Sequence, residues 1–282
     1  MELQELYHLI ELQPKMIERL DAVSKETNLT EIEVYLKRLS DIETAKQAYH
    51  YLQTRFQKEA DYDNLKMLYC QLECARRISE KYQEKNIPQS IYRDTMKCFT
   101  RFITECEKKN GRMFFDRGWW TYRQISMSLF RIGELEYEFC EHEGERVIGI
   151  HIPSDADLSA RAVEHSLEQA DIFFRTYYQG YIFDKYTCDS WLLSPALKPL
   201  LSEKSNILSF QNRFTIIQEN AEEKDYIEWL FQVPEDMDVK DLPETTGLQK
   251  RVKEVVMSGG TIGTAYGVMR KNNGKGETVC YL

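Results

Sequence analysis

The chain has 282 residues, 42% hydrophobic and 29% charged, which supplies apolar material for two ordinary cores and excludes disorder as the default state. Its formal charge of -9 argues against a protein whose main business is gripping nucleic acid or an anionic membrane surface, while leaving room for a local basic pocket. Seven cysteines, an odd number without a CxxC and with no secretory leader ahead of them, point to reduced thiols in a cytoplasm. No apolar run approaches the ~20 residues of a membrane span.

Residues 1–112 read as helices in series. Pro14 opens a helix reaching Lys25, and Asn28 or Thr30 caps one beginning LTEIEVYLKRL. Asp41 precedes IETAKQAYHYLQTRFQKEA, and Asp61 and Asp63 precede a helix with Leu65, Leu68, Tyr69, Leu72 and Ala75 on one face. Another runs from Ser90 to about Lys108. Cys70 and Cys74 stand four apart like half a metal site, but no second Cys or His pair matches them, so they are read as core packing and no metal is expected. The charged segment ECEKKNGR (105–112) marks the expected boundary between a helical domain, 1–112, and a second domain, 113–282.

The second domain opens with FFDRGWWTYRQISMSLFRIG, whose Trp120, Gln124, Met127 and Phe130 can share a helical face. Tandem tryptophans can stack a ligand, but Trp119 and Trp120 are expected to be largely buried between layers or domains. GELEYEFCEH (133–142) alternates as a strand with one wet face carrying Glu134, Glu136 and Glu138. ERVIGIHIP follows across a turn, with Ile148, Ile150 and Ile152 on one side and Val147, Gly149 and His151 on the other. A helix begins near Ser159 and must lie on a sheet. YTCDSWLL (186–193) has the large residues on both sides that a buried strand needs. RFTIIQEN and DYIEWLFQ are expected to pair as a hairpin over Ala221–Lys224, and a last helix carries Leu248, Val252, Val255 and Val256 up to Gly259.

In order and spacing, GWW (118–120), LFRIGELEYE (129–138), IHIP (150–153), EHSLEQADIFF (164–174), CDSWLLSP (188–195), SNILSFQNRF (205–214) and LPETTGLQKRV (242–252) carry a resemblance. The chain resembles bacterial acyltransferase-domain proteins that join a helical N-terminal domain to a GNAT-like C-terminal domain. The resemblance implies an α+β fold, an all-helical domain followed by a GNAT-like mixed-sheet α/β domain. It also implies acyl-CoA or CoA as the cofactor, held where ERVIGIHIP and YTCDSWLL splay apart. The cofactor contacts would then be the backbone of Ile150 and Ile152 on the first strand, and Ser154, Ser159 and Ala160 at the start of the following helix.

Two family features are missing. The loop PSDADLS lacks the Arg/Gln-xxGxG/A phosphate signature and carries Asp155 and Asp157 in its place. A look-alike, KNNGKG (271–276), stands near the C-terminus without a following helix and reads as a tail. Nor does any tyrosine occur between Trp191 and Tyr226 to protonate the leaving thiolate. His151 closes the first splayed strand and can take a proton from an acceptor, while Ser190 on the second can relay one. Glu136 and Glu138 are alternative bases. Each of these residues also has a structural reading, as a satisfied buried group or a solvated face.

The leading expectation is therefore an acyltransferase moving an acyl group from a small-molecule donor, acyl-CoA, or from a carrier thioester, to an amine or hydroxyl of an acceptor that the sequence does not identify. The rival is a non-catalytic binding or sensor protein that has lost the CoA site. A hydrolase built on Ser190 would lack the GxSxG elbow.

Overall fold

A computed structural model describes residues 1–271, so KNNGKG beyond Lys271, and Cys280, lie outside the described residues. Eight helices come first: α1 (Leu3–Leu9), α2 (Pro14–Glu26), α3 (Leu29–Leu39), α4 (Ala45–Lys58), α5 (Leu65–Glu84), α6 (Gln89–Met96), α7 (Cys98–Asn110) and α8 (Gly118–Ile125). Pro14 occupies the first turn of α2, and the Asn28 side chain accepts from Thr30 N to cap α3. The single helix expected over 90–108 is instead two, α6 and α7, broken at Lys97. Cys70 and Cys74 are fully buried in α5, and the Cys74 thiol donates to the Leu36 carbonyl.

The second half contains β1 (Leu129–Ile132), β2 (Leu135–His142), β3 (Glu145–His151), α9 (Ala160–Tyr177), β4 (Lys185–Ser190), α10 (Asn206–Gln211), β5 (Thr215–Asn220), α11 (Asp225–Phe231), α12 (Gly247–Met257) and β6 (Thr264–Arg270). The strands form one mixed sheet in the order β1-β2-β3-β4-β6-β5. All neighbours are antiparallel except β3 and β4. That parallel pair requires a crossover, which α9 supplies.

Three expectations from sequence fail here. LFRI is not the end of a helix: α8 stops at Ile125, Met127 takes a positive φ of 58°, and the chain turns into β1 against β2. DYIEWLF is helical, so β5 does not pair with it; its partner is β6, a strand that the glycine-interrupted TAYGVMR concealed. And the acidic face of β2 is not wet.

Strand alternation gives the sheet two chemically distinct faces. On one side lie Phe130, Ile132, Leu135, Tyr137, Ile148, Ile150, Tyr186 and Cys188, all buried, and α9 covers them: Phe173 sits 4.9 Å from Phe130, and Phe174 packs edge-on to Tyr137. The opposite side carries Glu136, Glu138, His151, Thr187 and Asp189, following the register Glu136↔His151 and Gly149↔Thr187. Against this polar face the helices place three complementary groups. Arg101 of α7 donates to Glu136 at 2.6 Å, Arg123 of α8 donates to Glu138 at 3.0 Å, and the Trp120 ring stands edge-on to His151 at 4.8 Å. One continuous apolar core runs from Leu6 in α1 to Ala265 in β6, and a second lies beneath Trp191, Tyr226, Phe231 and Val252.

Glu136 is thus 2% exposed and consumed by an ion pair, the reverse of a solvated strand residue. Arg101→Met should cost about 3–5 kcal/mol in urea unfolding, because it strands a buried carboxylate. Adding Glu136→Leu to that variant should recover most of the loss. A single variant as stable as the parent would show that water reaches Glu136.

Candidate active site

β3 and β4 are hydrogen-bonded neighbours only at Ile148↔Tyr186 and Gly149↔Thr187. Beyond those positions they part. Pro153, two residues past the end of β3, has no N–H to continue a ladder. At the end of β4 the Ser190 hydroxyl accepts from Leu192 N at 3.1 Å, turning the chain into a 3-10 turn at Trp191–Leu193. Between the diverging ends, and between the polar sheet face and α7, α8 and α11, opens a cleft of about 640 Å³.

His151 stands in this cleft. Its Nε2 is 2.8 Å from Glu138 Oε2, and Glu138 also takes Arg123 Nε. Burial alone would raise the Glu138 pKa, but the bond and charge of His151, with the charge of Arg123, outweigh it and hold the carboxyl below its usual range. A carboxylate only accepts, so Nε2 must carry the proton in that bond. The lone pair of neutral His151 is then on Nδ1, which makes no hydrogen bond among the described residues.

The other predicted site residues are distributed around the cleft unevenly. Ser190 borders it, yet its hydroxyl caps the 3-10 turn and does not bond His151, which removes the Ser-His arrangement of a hydrolase. Glu136 borders it as Arg101's partner. Ile152 lines the wall, whereas the Ile150 side chain is 1% exposed on the α9 side, leaving only its backbone for a ligand. Ser154 lines the far end and donates to Glu105, whose carboxyl burial pushes above the ordinary range. Ser159 and Ala160 are not among the lining residues. The Ser159 amide and hydroxyl are both given to Asp157, at 2.8 and 3.0 Å, so an internal carboxylate occupies the first free amide of α9.

The tryptophan pair departs from expectation as well. Trp119 is 45% exposed and Trp120 half-buried, both on the cleft wall, because α8 turns one edge toward the opening instead of lying wholly inside the layers. Two further residues escaped the sequence reading. Tyr266 of β6 lies opposite Asp189 in register and lines the cleft, and burial raises its phenol pKa, which keeps it a proton donor. No tyrosine follows β4 closely in the chain, and the sheet delivers one from the antiparallel neighbour instead. Trp229 of α11 also reaches the cleft, and the misread hairpin had hidden it.

Comparison with known proteins agrees with this architecture. A model described as N-acyltransferase N-terminal domain matches residues 1–127, and one described as GNAT-like C-terminal domain matches residues 129–269. An acyltransferase crystallised with decanoyl-CoA and teicoplanin is similar over 96% of this chain and 99% of its own, with a TM-score of 0.71 at 18% identity. An acyltransferase crystallised with decanoyl-CoA is similar over 95% and 99%, with a TM-score of 0.69 at 19% identity. No curated protein sequence matches the chain. The solved structures share the fold, and the two models meet where α8 gives way to β1: the chain belongs to the family that joins an N-acyltransferase N-terminal domain to a GNAT-like C-terminal domain.

Proposed function

We propose that this protein transfers an acyl group from acyl-CoA to an amine or hydroxyl by direct attack in a ternary complex. The observation that carries the reading is the His151–Glu138 pair, standing on the polar face where β3 and β4 part. The acyl-CoA complexes of the similar folds support the choice of donor. The donor's thioester would enter between the strands, where backbone N–H groups of β3 beyond Gly149 have no strand partner on the β4 side and can polarise its carbonyl.

With an amine acceptor, the nitrogen attacks the thioester carbon and gives its proton to His151 Nδ1. Glu138 holds the ring in the required tautomer and stabilises the imidazolium that forms. The C–S bond then breaks, and the CoA thiolate takes a proton from the cleft, where the Tyr266 phenol on the wall is an uncharged donor. Binding of the CoA phosphates is the weak part of the design. Asp157 already occupies the Ser159 amide, although Arg213 brings a cation to the first turn of α9 through the Ala160 carbonyl and Glu164. That occupied helix end is also the observation that favours a binding protein which has lost the cofactor.

Decanoyl-CoA should raise the apparent melting temperature, since a ligand that binds only the folded state stabilises it, and amine-dependent release of CoA thiol should follow. His151→Ala should then lower kcat by about a hundredfold or more while the protein stays folded. Glu138→Gln keeps the shape but loses the charge, and about a tenfold fall is the expected scale for a group that acts through the imidazole. No thermal shift and no thiol release would favour the binding protein. Unchanged turnover in His151→Ala would remove that residue from the chemistry.

A further inference from the structure

Glu138 is a largely buried carboxylate, its side chain 17% exposed, and among the described residues its only cationic partners are Arg123 at 3.0 Å and His151 at 2.8 Å. The two come from opposite halves of the chain, Arg123 from α8 and His151 from β3. An imidazole that is to accept a proton must start neutral, and in that state it offers Glu138 a hydrogen bond but no charge. The whole countercharge then falls to Arg123. Without it the carboxylate would be a buried anion with no cation, and the simplest remedy within the site is a proton on His151.

The other titratable and charged groups around the ring do not replace Arg123. Glu136, opposite His151 in the β2–β3 register, is balanced by Arg101 of α7. Asp189 of β4 interacts with His151 and favours the imidazolium, while Tyr266 of β6 stays a neutral phenol.

Arg123 is also held in place by its own helix. Trp120, Arg123 and Gln124 share one face of α8 at helical spacing. The Arg123 guanidinium lies over the Trp120 ring, 4.4 Å from its centre, while Nε donates to Glu138 and Nη1 donates to the Trp119 carbonyl at 3.2 Å. The fully buried Gln124 amide, oriented to satisfy its neighbours, accepts from Trp120 Nε1 at 3.3 Å and fixes the indole, which stands perpendicular to the imidazole at 4.8 Å. One guanidinium therefore touches both groups that hold His151, the carboxylate and the indole.

Resting on the acyltransferase reading above, we infer that Arg123, from the helical half, is a positioning residue of the transfer: it keeps Glu138 anionic beside a neutral His151, leaving Nδ1 free to take the acceptor's proton. The helical half is then part of the active site and not only its cover.

Nitrogen-15 NMR of the labelled full chain reads the His151 ring directly and needs no donor or transfer, the signals being assigned by their loss in His151→Ala. In the parent at neutral pH one ring nitrogen should be protonated and the other not. In Arg123→Gln, which keeps a donor and removes the charge, both should be protonated at the same pH. Arg123→Lys keeps the charge and should show the parent pattern, and so should Glu138→Gln/Arg123→Gln, which removes both charges together. Where transfer is observed, Arg123→Gln should lower kcat about tenfold at neutral pH, with the KM for decanoyl-CoA unchanged and the deficit shrinking as pH rises. A neutral ring in Arg123→Gln, or an imidazolium in the parent or in Arg123→Lys, overturns the inference, and the last two readings apply even if Arg123→Gln does not fold. The acyltransferase reading stands or falls separately, on the decanoyl-CoA shift and thiol release.

Discussion

Everything chemical in this protein depends on one constraint: β3 and β4 run parallel but pair at only two positions. A parallel pair cannot be closed by a tight turn, so the chain must leave β3, cross over as α9 and return as β4. Pro153 stops the ladder on one side, and the Ser190 cap diverts the chain on the other. β4 does not collapse into the gap because its far edge is held by six register pairs with β6. The splay is therefore a rigid product of the sheet and needs no moving part to open.

The helical half determines what the splay can do. A sheet of this kind has one face committed to α9, and its other face must be covered or left wet. Here α7 and α8 cover it with arginines and a tryptophan, converting Glu136 and Glu138 from surface carboxylates into members of a buried, charge-balanced layer. A histidine supported by an anionic glutamate follows from that covering. So does the pairing across the cleft, where cations of α7 and α8 and of the segment between them meet Glu136, Glu138 and, on α11, Glu228.

The local signals read well because they depend on near neighbours in the chain. Most helices of the first half, the alternation of β2 and β3, the amphipathic α9 and the parallel placement of ERVIGIH beside YTCDS were legible in periodicity and in the resemblance that the residues carry, although the strand expected over 186–193 ends at Ser190, where Trp191–Leu193 turn as a 3-10 helix. The failures share one cause. LFRI, DYIEWLF and TAYGVMR are short segments whose state is set by what they pack against, and a short apolar run does not say whether it is a strand or a helix turn.

By itself, then, the sequence determined the elements with strong period, the α+β character and the presence of His151 at the end of a strand. It could not tell that Glu136 is buried, because alternation reports which residues share a face and not what covers that face. Nor could it bring Tyr266 and Trp229 to the cleft, since β6 and α11 reach it from the far end of the chain. Which carboxylates keep a countercharge was likewise decided only in three dimensions. Arg101 lies 35 positions from Glu136, and Lys109 lies 119 from Glu228. Ion pairing falls off with distance in space, which chain separation does not measure.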